Sequence, residues 1–148
     1  MISKKVLKAL VLIREKDAKA LFEKRRYTAA IYMAGYAVEI ALKLEICKMY
    51  FFSKGFPESK NEFQSYSNQR DKKYLMKTIE SIREIRHHDL QLLLGYSGLE
   101  FKIKSTFLME WELISQWKPE MRYQIIAIRK SQAQVNLSAA GAIIKGIL

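Results

Sequence analysis

The sequence predicts an all-α fold: an up-and-down bundle of four or five helices, in one domain over residues 1–148. Three observations predict it. Apolar residues recur at three- and four-residue steps in four long segments. One of these carries a stripe of alanines that would let a neighbouring helix approach closely. The single β-branched run, residues 123–128, has no second strand to pair with.

Residues 4–24 read as the first helix, with Val6, Leu10, Ile13, Ala20 and Leu21 as its inward stripe. Residues 27–50 read as the second. Ala30, Ala34, Ala37 and Ala41 share one of its faces, and Tyr32, Tyr36, Glu39 and Lys43 share the neighbouring one. Glu39 and Lys43 stand four apart with the acid first, the favourable order for a helical ion pair. If that face is buried, these groups need partners from elsewhere in the chain.

Gly55 and Pro57 break the pattern, and residues 53–70 are polar around Phe56, Phe63 and Tyr66, which predicts a long loop. Asp71 can cap a third helix with Tyr74, Leu75, Ile79 and Ile82 facing in. A short helix is expected over residues 89–94, stopped by Gly95. Residues 99–116 read as one helix carrying Phe101, Ile103, Phe107, Leu108, Trp111 and Ile114, ended by Pro119. Residues 123–128 form an extended lead-in. The last helix covers residues 130–146, with Val135, Leu137, Ala140, Ile143 and Ile144.

Hydrophobic residues make up 49% of the chain, enough for a core, yet no stretch reaches the roughly 18 apolar residues that span a bilayer. The short apolar run after Lys8 is cut off by Arg14, Glu15, Lys16 and Asp17, which argues against a secretory signal. The only cysteine, Cys47, sits in an apolar helix and reads as a buried thiol, in keeping with a reducing cytoplasm. The net charge of +11 points to a polyanionic partner, RNA, DNA or a nucleotide, or to an acidic protein. That charge is spread over Lys4, Lys5, Lys8, Arg25, Arg26, Arg70, Lys72, Lys73, Lys77, Arg83 and Arg86.

Four pieces of the chain carry a resemblance. They are Arg25-Arg26-Tyr27, then Ala34-Gly35-Tyr36-Ala37-Val38-Glu39-Ile40-Ala41-Leu42-Lys43, then His88-Asp89-Leu90, then Trp117-Lys118-Pro119-Glu120-Met121-Arg122-Tyr123. In this order they resemble the signature of HEPN domains, small all-helical bundles named for nucleotide binding, over about residues 14–145. The resemblance implies a homodimer and a nucleic-acid or nucleotide ligand. It also implies a toxin–antitoxin or defence setting, beside a nucleotidyltransferase-type partner protein.

HEPN ribonucleases use an Arg followed a few residues later by a His near the start of the final helix. The Arg stabilises phosphorane-like charge and the His moves protons. By resemblance Arg122 holds the Arg position, but no His follows it before the last helix. Arg83 and His88 match the spacing in a different part of the chain, so a catalytic pair of Arg83 and His88 is the alternative. Tyr36, Glu39, Lys43, His88, Asp89, Arg122 and Tyr123 form the candidate polar cluster or ligand site. Within it Glu39, His88 and Arg122 are expected to meet, and loss of Arg122 would then unpair a buried group.

Neither a zinc site nor a phosphate-binding glycine loop is suggested by spacing, and no cofactor is implied. The sequence therefore favours a non-catalytic domain that binds nucleic acid or nucleotide. The alternatives are a metal-independent endoribonuclease toxin and a module that binds only a partner protein.

Overall fold

The alanine stripe of the second helix decides the architecture. Ala30, Ala37 and Ala41 are fully buried and Ala34 nearly so, so α2 (Tyr27–Met49) runs through the middle of the molecule. It packs along α1 (Lys4–Glu23) on one side and along α8 (Lys130–Ile147) on another. The structure, a computed structural model, describes residues 1–68 and 76–148. Among these residues the fold is all-helical. The only sheet-like pairing is an isolated antiparallel bridge of Ile2 with Phe56.

Between α2 and α8 lie α3 (Lys60–Ser67), α4 (Ile82–Arg86), α5 (Leu90–Ser97), α6 (Glu100–Thr106) and α7 (Leu108–Ile114). A 3-10 turn, Pro119–Tyr123, follows. Tyr123, expected at the start of the extended lead-in, belongs to the 3-10 turn; residues 124–129 are neither helix nor strand, and Gln124 and Arg129 have extended backbones.

Several expectations are corrected. The inward stripe of α1 is Leu7, Val11 and Ala18, while Val6 and Ile13 are exposed. The run from Val6 to Ile13 is nearly all apolar, so periodicity leaves its rotation ambiguous. Val135, also expected inward, is exposed on α8. The expected loop over residues 53–70 holds α3. Ser59 accepts from the Glu62 N–H as the N-cap, and the Glu62 side chain reaches back to accept from the Glu58 N–H. Phe63 and Tyr66 then share its buried face, where the Tyr66 ring stacks on Phe52 at 4.5 Å.

The Asp71 cap, with Tyr74 and Leu75, lies outside the described residues, as do the cations Arg70, Lys72 and Lys73. Of that expected helix's inward residues Ile79 is buried and Ile82 is half-buried; Met76 is helical, and α4 begins at Ile82. The short helix ends at Gly98, not Gly95. Gly98 takes the left-handed conformation (φ 73°) that closes α5. The expected helix over residues 99–116 bends at Phe107, whose backbone (φ −131°, ψ 40°) separates α6 from α7. Its ring seats on Gly146 of α8, where an added β-carbon would lie 2.6 Å from the ring. Phe101, expected inward, is exposed on α6, while Ile103, Trp111 and Ile114 are buried.

Candidate functional site

The polar face of α2 carries the only charged side chain buried among the described residues, Glu39, at 1% exposure. A buried carboxylate needs compensating donors. Lys43, one turn on, donates to Oε1 at 2.5 Å. His88, from the link between α4 and α5, meets Oε2 through Nδ1 at 2.9 Å. Lys43 is itself mostly buried and its ammonium lies 5.6 Å from the centre of the Phe56 ring. Three of the expected cluster thus converge from two distant pieces of chain.

Tyr36 borders this group. The Arg14 guanidinium stands 5.8 Å from its ring centre. Burial, and then the charge of Glu39, push its hydroxyl above the usual phenol range. Asp89 does a different job from the one expected. Its Oδ1 accepts from the Leu92 N–H at 3.0 Å, capping α5 and fixing the turn that presents His88.

His88 is 53% exposed. With Nδ1 on the carboxylate, Nε2 is the nitrogen left for other contacts. The ring borders a cleft of about 870 Å³ whose walls include His87, Trp117, Lys118, Glu120 and Gln124.

Arg122 does not join the Glu39 cluster. It lies on the 3-10 turn, exposed, and the neighbouring Tyr32 and Tyr123 side chains favour its charged form. Its Cζ sits 4.8 Å from the centre of the Tyr123 ring. The reason is Trp117. The indole N–H donates to the Tyr32 carbonyl at 3.1 Å, so Trp117 takes the inward position beside α2 and the turn after it stays outside. The unpaired buried partner expected on losing Arg122 therefore does not exist.

Arg122 instead meets the cations before α2. Arg25, Arg26, Thr28, Tyr32 and Arg122 line a neighbouring cleft of about 460 Å³, which shares Met121 and Gln124 with the cleft of His88. Arg25 adopts a left-handed backbone (φ 58°), which turns the chain sharply into α2. The first turn of α2 has neither a side-chain cap nor an acidic residue, so its free N–H groups add to the positive field. The Arg25-Arg26-Tyr27 sequence is the signal for this cleft, but its partnership with Arg122 arises only in the folded chain.

Arg83 and His88 are not brought together in one cleft. Arg83 lines a third, of about 660 Å³, with Lys60, Phe63 and Gln64 of α3. Tyr123 is exposed beside Arg122. Among the described residues no group of three His, Cys, Asp or Glu side chains could hold a metal ion, and no helix is long and apolar enough to cross a membrane. No family model, curated protein or solved structure matches the chain.

Proposed function

We propose that this chain is a non-catalytic, HEPN-like domain that binds nucleic acid or a nucleotide through phosphate. One observation carries the reading. Arg25, Arg26 and Arg122 surround the uncapped N-terminus of α2. Anions are stabilised where free helix N–H groups and guanidinium forks converge. Tyr32, at the edge of the same cleft, offers a ring against which a base can stack. The net charge of +11 supplies the long-range attraction. The resemblance extends the proposal to a cytoplasmic homodimer acting beside a nucleotidyltransferase-type partner, in a toxin–antitoxin or defence setting.

Fluorescence anisotropy with a labelled single-stranded RNA 20-mer tests it. Binding is expected to be weak, with little sequence preference, and to fall steeply from low to physiological salt. The Arg25→Ala/Arg26→Ala/Arg122→Ala variant should lose most of it. Unchanged binding by that variant, or no binding at low salt, would remove the cleft from consideration.

The second reading is a metal-independent endoribonuclease. The observation in its favour is the Glu39–His88 contact, which leaves Nε2 of an oriented imidazole beside a cleft contiguous with Arg122. It ranks second because His88 and the arginines border separate clefts.

A further inference from the structure

Residues 124–129, Gln-Ile-Ile-Ala-Ile-Arg, have the composition of a strand without a sheet. Thr28 of α2 holds the segment at one point, its hydroxyl donating to the Ile126 carbonyl at 3.0 Å. In an extended chain, backbone groups of alternate residues face opposite edges. Pinning the Ile126 carbonyl toward α2 turns the N–H and C=O groups of Ile125 and Ala127 to the other edge. Neither residue's backbone has a hydrogen-bond partner among the described residues. The Ile125 side chain is fully exposed at 108%. Tyr123 before it and Val135 after it add exposed apolar surface.

We propose that residues 124–129 form a strand-addition site, which takes an extended, acidic segment of a partner protein along the backbone edge of Ile125 and Ala127. Main-chain pairing supplies affinity in such recognition, and flanking side chains supply selectivity. Here the flanks are cationic. Arg122 precedes the segment, Arg129 and Lys130 close it, and Arg25 and Arg26 line the adjoining cleft.

That charge decides between occupants. A second copy pairing antiparallel about Ile126 would set Arg122 of each chain toward Arg129 and Lys130 of the other, with +11 on both. A nucleic acid would satisfy the arginines but leave the Ile125 and Ala127 edge open. A segment alternating Glu or Asp with apolar residues answers the charge, the open backbone groups and Ile125 together. The site is separate in its chemistry from the phosphate site proposed above, although an occupant long enough to reach Arg122 would compete with RNA.

The probe is a blocked octapeptide alternating Glu and Val, with two comparison peptides. One has Lys in place of Glu. The other is N-methylated at alternate residues, so that one edge loses its donors while charge and side chains stay. Titration calorimetry on the full chain should show saturable binding of the acidic peptide. N-methylation should weaken it by about tenfold or more, and the Lys peptide should not bind. In NMR hydrogen exchange, the amides of Ile125 and Ala127 should become protected when the acidic peptide is added. Ala127→Pro, which removes a donor from the open edge, should weaken binding while leaving the circular dichroism unchanged.

Four results would overturn the proposal. The acidic peptide fails to bind. The methylated and plain peptides bind alike, showing charge alone. The chain self-associates through this edge, so that Ala127→Pro abolishes a dimer. Oligouridylate, not the peptide, protects the two amides. Failure of the RNA reading is seen separately, in the RNA titration of the parent chain, because the contrast between plain and methylated peptides and the protection of the two amides report main-chain pairing and not phosphate binding.

Discussion

The Trp117 indole lies so close against Gly35 that a β-carbon at position 35 would stand 2.2 Å from its Cδ1. This contact joins the middle of α2 to the chain leading into the 3-10 turn. The indole N–H donates to the Tyr32 carbonyl, and the Tyr32 ring lies 5.7 Å from the indole. Trp117 therefore reads α2 at two successive turns. The contact fixes the chain that leads into the turn bearing Arg122, and Trp117 itself lines the cleft of His88.

Gly35→Ala should destabilise the protein by about 1–3 kcal/mol, the usual cost of overpacking a filled site. Urea unfolding would measure it. Trp117→Leu in the Gly35→Ala background should recover part of the loss, since the smaller side chain vacates the overlap. A Gly35→Ala variant as stable as the parent would show that the indole moves aside freely.

Glu39→Gln keeps the shape of the side chain but removes the charge facing Lys43 and His88. The variant should lose about 2–4 kcal/mol, because the mostly buried Lys43 ammonium is left uncompensated. His88→Ala should cost much less, since its ring is half exposed. Equal losses from the two variants in thermal unfolding would contradict this ranking.

Cys47 is fully buried and its thiol is pushed up to about 12 by desolvation. It should resist a disulfide-exchange reagent at pH 8 in the folded chain and react completely in guanidinium. The sign of its pH effect follows. The folded thiol keeps its proton where the unfolded one has lost it. Its contribution to stability is therefore full below the unfolded pKa and is lost as pH rises toward about 12. A Cys47→Ala variant should show a shallower alkaline decline than the parent.

Arg122→Ala should leave the thermal midpoint unchanged while weakening RNA binding. The side chain is exposed, Tyr32 keeps its ring contact with Trp117, and Tyr123 is itself exposed. A marked drop in midpoint would mean that Arg122 supports the fold, not a ligand.

Purified protein should not cleave structured RNA in metal-free buffer. Arg83 and His88 line different clefts. Cleavage by the parent that His88→Ala abolishes, with folding intact by circular dichroism, would promote the Glu39–His88 contact to a catalytic role.

The sequence by itself determined the helices that carry strong local signals. The alanine steps from Ala30 to Ala41 specify a buried helix whatever packs on it, and the central place of α2 follows from them. The Glu39–Lys43 pair was legible too, because four-residue spacing puts both on one helix face in any fold. Most of the extended lead-in read over residues 123–128 was legible, because a lone β-branched run has no second strand to pair with, but Tyr123 joined the 3-10 turn. Tertiary structure alone decided the rest. The rotation of α1 was set by which side of a nearly uniform apolar run met α2. The bend at Phe107 arose because its ring found Gly146, a partner 39 positions away in the sequence. The site divided for the same reason. His88 reached Glu39 because the Asp89 cap aims it inward, and Arg122 stayed outside because Trp117 filled the space beside Gly35. Local spacing reports which residues share a face, but only close packing between distant segments selects which of two eligible side chains is buried.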